Sequence, residues 1–316
     1  MTISPIAGYR LAVVGRIPTS ATITMFNLAR TALACMALVT SPLAAQSRAA
    51  SQPARPLKVF ISVDMEGLAG VVTSGDVGGT TGDYQYFRKI MAQEANAAIE
   101  GAIRAGATEV LVRDSHGSKQ NMLPGDLDRR ARLLRGASIG PKNMMEGIDS
   151  SFAAAVFIGY HAKAGTPNAI LEHTSNGNVV DFSINGVSLP EGGYNALVAG
   201  LYGVPVVFVA GDRAVVDQMR SLLGTVDGVA VKEEIGDAIN GLSPAAAQDA
   251  IRAGVERAVR ARATYRPFAL AAPYAMVLKV RKDGKTFDGA VNSAAGEYTF
   301  SSPDLLRILA AFNALK

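Results

Sequence analysis

From Leu57 onward, short apolar runs alternate with longer stretches whose apolar residues recur at helical spacing. Lys58–Val63 (KVFISV), Glu109–Arg113, Ala154–Tyr160 and Pro205–Ala210 are short, β-branched and apolar at nearly every position. That is the texture of strands buried on both faces. Between the first two, Tyr84–Ala105 sets Ile90, Met91, Ala95, Ile99 and Ile103 on one helical face, and Gly106 stops it. Helices are also predicted over Tyr194–Tyr202 and Arg213–Leu223, and Ser243-Pro244 opens another that runs to Ala261, with a capping hydroxyl followed by proline at the first turn. Further on the texture changes: Tyr274–Arg281 and Glu297–Ser301 alternate like half-exposed strands, and Ser302-Pro303-Asp304 caps a last helix. The glycine-rich Ser74–Asp83 lacks the Lys-Ser/Thr ending of a phosphate-binding loop and reads as a loop. This order predicts an α/β fold, with a parallel-sheet α/β domain over residues 57–225 and a smaller C-terminal α+β portion over residues 226–316.

The segment before this has a different character. Arg30 precedes the apolar run Thr31–Thr40, and the small residues Leu43-Ala44-Ala45 follow. Basic, apolar and small-residue parts in that order form a secretory signal, with cleavage expected near Ala45 and Met25 as an alternative start. Residues 46–56 read as a linker. The expected product is exported, periplasmic or secreted, and keeps no membrane segment in its mature form. Charge supports the division. The formal net charge is +4, but residues 1–45 hold Arg10, Arg16 and Arg30 and no acid, which leaves 28 basic against 27 acidic residues in the remainder. Neither a basic face nor an aromatic stacking surface remains to argue for nucleic acid; aromatic residues make up 6% and Trp is absent. The single cysteine, Cys35, falls inside the signal, so a structural disulfide and a cysteine-based zinc site are both ruled out for the mature chain.

Candidate chemistry gathers at the ends of the predicted strands. The first runs into Asp64-Met65-Glu66-Gly67, the second into Asp114-Ser115-His116-Gly117 and the third into His161. His173, the last of only three histidines, follows after a loop, and Glu191 lies in Leu189-Pro190-Glu191-Gly192-Gly193. In an open parallel sheet the carboxyl ends of the strands are where ligands collect. An oxygen- and imidazole-based set suits zinc, manganese or cobalt with open positions. Five candidate ligands, Asp64, Glu66, His116, His161 and Glu191, exceed the needs of one ion, and a carboxylate such as Asp64 can bridge two. Asp114 is a candidate to orient an imidazole, and Lys163 and Asn195 are candidate substrate contacts.

These segments also carry a family resemblance. SVDMEG (62–67), DSHG (114–117), GYHAKAGTP (159–167), MMEGID (144–149) and PVVFVAGD (205–212), with His173 and Glu191, resemble the D-aminopeptidases of metallopeptidase family M55. The resemblance implies a dinuclear zinc aminopeptidase in which Asp64 bridges two Zn2+ ions per chain and Glu66, His116, His161 and Glu191 complete their shells. It implies that His173 is catalytic rather than a ligand. It also implies ring-shaped homo-oligomers acting on short peptides with an N-terminal D-amino acid such as D-Ala. Two other readings use the same residue types: another dinuclear metal hydrolase, phosphoesterase or amidase, and a non-catalytic metal-binding solute protein. A phosphoesterase needs basic side chains around the site, and along the sequence only Arg113 and Lys163 lie near the motifs.

Overall fold

The computed structural model describes residues 56–79, 81–138 and 140–316. The predicted signal and most of the linker lie outside the described residues. In chain order the elements are β1 (Lys58–Val63), α1 (Ser74–Val77), α2 (Gly82–Arg104), β2 (Glu109–Asp114), β3 (Arg132–Leu134), β4 (Ala154–Tyr160), β5 (Val179–Ile184) and β6 (Val187–Ser188). They continue as α3 (Glu191–Leu201), β7 (Val206–Asp212), α4 (Arg213–Leu223), β8 (Asp227–Ile235), β9 (Ala238–Gly241), α5 (Pro244–Arg260), β10 (Tyr274–Val280), β11 (Val291–Ala294), β12 (Glu297–Ser302) and α6 (Leu305–Leu315).

The apolar runs form the middle of a seven-stranded sheet ordered β3-β2-β1-β4-β7-β8-β9, parallel except for the β8–β9 hairpin. Both faces are covered, which is why these strands read as continuous apolar runs. On one face Val59, Ile61 and Val63 of β1 pack with Met91 and Ile99 of α2 and Val255 and Val259 of α5. On the other, Phe60 and Phe157 join a core shared with Phe182, Leu278, Phe300 and Phe312. That second core lies under an antiparallel sheet ordered β11-β12-β10-β5-β6, backed by α6. The α/β class follows from the first sheet and the smaller antiparallel portion from the second.

Several boundaries differ from those expected. The division at residue 225 does not separate the sheets: β8 and β9 extend the first, whereas β5 and β6, far upstream, extend the second. Sheet membership is set by hydrogen bonding between distant segments, which a change in local texture does not report. Ser74–Asp83 is not all loop; it holds α1, whose Asp76 carboxylate accepts from the backbone N–H of Val72 and Thr73 at 2.8 Å each. The third helix begins at Glu191 rather than Tyr194, with glycines in its first turn. A Cβ at Gly192 would lie 2.7 Å from the Met219 sulfur, so the first turn of α3 packs closely on α4 and a side chain there would have to displace that of Met219.

Candidate metal centre

Sheet order brings the chemistry together. β1 lies between β2 and β4, and their carboxyl ends deliver Asp64, His116 and His161 to neighbouring places on one rim. Between β1 and β4 the direction of winding reverses, the crevice where open α/β sheets take their ligands. The Asp64 N–H donates to the Ile158 carbonyl at 2.8 Å, so the chain leaving β1 continues along β4. A Cβ on Gly159 would come within 2.2 Å of the Asp64 carbonyl oxygen, and its φ is +69°. Glycine before Tyr160-His161 is therefore a geometric condition for Asp64 and His161 to meet.

Each imidazole is oriented in the same way. His116 Nε2 lies 2.7 Å from the Val77 carbonyl oxygen, His161 Nδ1 2.9 Å from that of Ala162, and His173 Nδ1 2.8 Å from that of Leu171. A carbonyl only accepts, so the proton sits on that nitrogen and the other faces the carboxylates unprotonated in the neutral ring. His116 Nδ1 lies 3.2 Å from Asp64 Oδ1 and 3.0 Å from Glu66 Oε2. His161 Nε2 faces Asp64 Oδ2 at 3.7 Å and Glu191 Oε1 at 3.5 Å. His173 Nε2 lies 3.5 Å from Glu191 Oε1 and 4.0 Å from Glu66 Oε1. The His161 and His173 rings stack with centroids 4.0 Å apart. His161 is fully buried, whereas the His173 side chain is 25% exposed and lines a cavity of about 280 Å³ with Asp64, Glu66, His116 and Glu191.

The residues fit a metal. Ligand-type atoms of His161, His173 and Glu191 lie within 4.8 Å of one another, as do those of Asp64, Glu66 and His161. His161 Nε2 is buried without a hydrogen-bond partner, and an orphaned buried acceptor of this kind is costly unless something occupies its lone pair. The electrostatics agree. Burial raises the Glu66 carboxyl, yet the neighbouring His116, His161 and His173 charges hold it well below the usual carboxylate range. Glu191 behaves likewise: burial is outweighed by His161, and it is lowered to about 2. Burial lowers both imidazoles, but the facing carboxylates win and push His116 up to about 11 and His161 up to about 10. Three buried carboxylates thus demand positive charge, from protons or from metal ions.

The remaining candidates lie elsewhere. Asp114 does not touch an imidazole; it accepts from the Asn121 N–H (2.6 Å), Asn121 Nδ2 (2.8 Å) and the Met122 N–H (2.8 Å), while Asn121 Nδ2 also donates to the His116 carbonyl. It braces the backbone of the turn that carries His116. Asn195 is fully buried beneath the cavity, donating to Tyr160 Oη at 3.0 Å. Lys163 lines a different cavity, where it donates to Ser188 Oγ at 2.5 Å. Arg113 is buried between β2 and the Leu134–Gly136 segment, to whose carbonyls it donates. The basic groups that do line the metal cavity are Lys119 and Lys316, together with Ser138, Asn143 and Ser175. No motif marks these residues; Lys119, three positions after His116, was the only one within local reach of the sequence pattern.

Known proteins are similar to this chain in sequence and in fold. A family model described as D-aminopeptidase, peptidase M55, matches residues 57–296. The D-aminopeptidase of Bacillus subtilis (strain 168) is 41% identical over 192 residues, which cover 60% of this chain and 69% of that protein. A solved structure, the Zn-dependent D-aminopeptidase DppA from Bacillus subtilis, described as a self-compartmentalizing protease, superposes with a TM-score of 0.77 and 31% identity over 81% of this chain and 96% of its own. With a family match spanning most of its length and a rim of histidines and carboxylates built on the same fold, the chain belongs to the D-aminopeptidase family of metallopeptidases, M55.

Proposed function

We propose that this chain is a zinc-dependent aminopeptidase that releases N-terminal D-amino acids, such as D-Ala, from short peptides. The observation that carries the reading is the common pose of the three imidazoles, each bonded to a backbone carbonyl on one side and turned towards buried carboxylates on the other. We assign Asp64, Glu66, His116, His161 and Glu191 as ligands of two Zn2+ ions. Asp64 suits a bridging place because its two oxygens face different histidines, Oδ1 towards His116 and Oδ2 towards His161. Bound zinc supplies a Lewis acid for the amide carbonyl and a water of lowered pKa.

The chain's own groups do the rest. His173 Nε2, open to the cavity, accepts the proton of the attacking water and returns it to the leaving amine, while the Leu171 carbonyl keeps its ring in register. The buried stack against His161 limits the ring's rotation. The relative described as self-compartmentalizing supports assembly of this chain into a ring-shaped homo-oligomer. The basic-apolar-small pattern around Arg30 and Ala45 supports export, with the mature chain working in the periplasm or outside the cell. Among the described residues no helix is long and apolar enough to cross a membrane. Mass spectrometry of exported material checks this; an intact start at Met1 or Met25 counts against it.

The central experiment measures hydrolysis of paired D- and L-alanyl dipeptides by purified protein of known metal content. The expected result is about two zinc equivalents per chain, turnover of the D-alanyl member, and loss of turnover with chelator. One equivalent or none after zinc loading contradicts the dinuclear site, and equal turnover of the pair contradicts the D-preference. Because Lys119 and Lys316 line the cavity, p-nitrophenyl phosphate belongs in the same assay; its hydrolysis in place of the peptides favours the phosphoesterase reading.

A further inference from the structure

The metal cavity is lopsided in charge. One side holds Asp64, Glu66 and Glu191 with the histidines, and two lysines complete the lining. They arrive from different parts of the fold. Lys119 follows the turn after β2, its own N–H donating to the His116 carbonyl at 2.8 Å and its ammonium to the Ser115 carbonyl. Lys316 caps the end of α6, on the second sheet, and its ammonium nitrogen lies 5.1 Å from the centre of the Phe312 ring. Its Nζ donates to Ser175 Oγ at 2.5 Å, and the Ser175 N–H donates to Glu191 Oε1 at 2.6 Å. One serine thus joins the ammonium to a carboxylate of the metal centre.

Two half-buried ammonium groups that line one cavity repel each other. The three carboxylates compensate them only as long as no metal does. Two divalent ions would exceed the charge of those carboxylates, which leaves the two half-buried lysines uncompensated by them. A bound anion resolves the imbalance. The cavity, about 280 Å³, lies at the small end of ligand pockets, which run from about 300 to 1,000 Å³. A substrate short enough to fit brings its own anion, the terminal carboxylate. We propose that Lys119 and Lys316 form a cationic end wall that receives the C-terminal carboxylate of the substrate, so that the enzyme selects dipeptides with a free carboxylate. This rests on the peptidase reading above. The wall also sets direction, since a substrate amine is repelled by the lysines.

The test compares D-alanyl-D-alanine with its C-terminal carboxamide, identical in length and scissile bond. The zinc-loaded protein is expected to favour the free acid by about 10–100-fold in kcat/KM, carried mainly by KM, as for a hydrogen bond to a charged group. Lys316→Gln and Lys119→Gln should each narrow that ratio, and Lys316→Arg should retain it. Equal use of acid and amide by the unsubstituted protein overturns the proposal. So do substitutions that depress both substrates alike with the ratio kept, because the lysines would then act on the carbonyl or on the fold. A second arm needs no turnover: calorimetric binding of the reduced-bond analogue, with CH2–NH in place of the amide, as acid and as carboxamide. The zinc-loaded protein should bind the acid more tightly, and equal affinities overturn the proposal. If no D-alanyl compound is hydrolysed but the acid analogue is still preferred, the peptidase reading fails and the carboxylate wall stands.

Discussion

His161 and His173 stack face to face, yet the proposed function gives them different work. The buried His161 turns an unpartnered nitrogen towards Asp64 and Glu191, so His161→Ala is expected to lose metal and activity together. His173→Ala should keep its zinc and lose about 10²–10⁴-fold in rate, the usual contribution of a general acid–base group. Elemental analysis beside the rate assay separates the two, and loss of zinc from the His173 variant would place that ring among the ligands. A different residue sets a pH dependence of stability. Glu94 on α2 is fully buried, accepts the Ala69 N–H at 2.9 Å through one oxygen and has no partner for the other. Burial pushes its carboxyl up from 4.5 to about 7, against the pull of the Ala69 N–H and Lys232. A folded pKa above the unfolded one gives stability that is present below about 4.5 and lost as pH rises through about 7. At about 1.4 kcal/mol per pH unit, the span amounts to about 3 kcal/mol. Glu94→Gln should flatten that decline, measured as Tm between pH 5 and pH 8; parallel curves for the two proteins would contradict it.

At the scale of elements, the part of the site that was legible in the sequence is the part made by single strands. β1, β2 and β4 are short, mostly apolar runs that lead into Asp64, Asp114-Ser115-His116 and His161, so their ends, and with them the rim, show in the local pattern. What did not show depends on two elements meeting. β5 carries Asp181 and Ser183 among its apolar residues, and nothing local says that it pairs with β10, nearly a hundred positions later. Lys232 is a further instance. It is one charged residue in the mixed strand β8, and its sequence neighbours give no sign that it is buried. In the fold its Nζ donates to the Glu66 carbonyl at 2.5 Å and to that of Val71 at 2.7 Å, fixing the chain that leaves β1. Lys232→Met leaves both carbonyls buried and unpaired, at about 1–3 kcal/mol each. It is expected to lower Tm and to weaken zinc binding by about 10–100-fold, the range for residues that hold a ligand in place. Competition with a chelating dye reads the second effect, and unchanged zinc affinity would show that Glu66 does not depend on this strut.

For the molecule as a whole, the proposed metal centre is expected to be a term in stability as well. Asp64, Glu66 and Glu191 are held close together and nearly out of water, an arrangement that repels itself once the compensating charge is removed. Zinc that binds the folded chain at a thousand times its dissociation constant adds about 4 kcal/mol. Chelation should therefore lower Tm by several degrees as well as stop turnover, and scanning calorimetry with and without chelator is the check; an unchanged Tm would mean that the ions contribute nothing to the fold. The placement of Lys316 at the end of α6 has a consequence of another kind. Four of the five proposed ligands follow strands of one sheet and this ammonium is anchored on the helix that backs the other, so a molecule gripped at both ends would work as a clasp between the two layers. Its grip should be felt where it touches nothing, as slower amide exchange along β10 and β12, whose opening requires that the clasp first come undone.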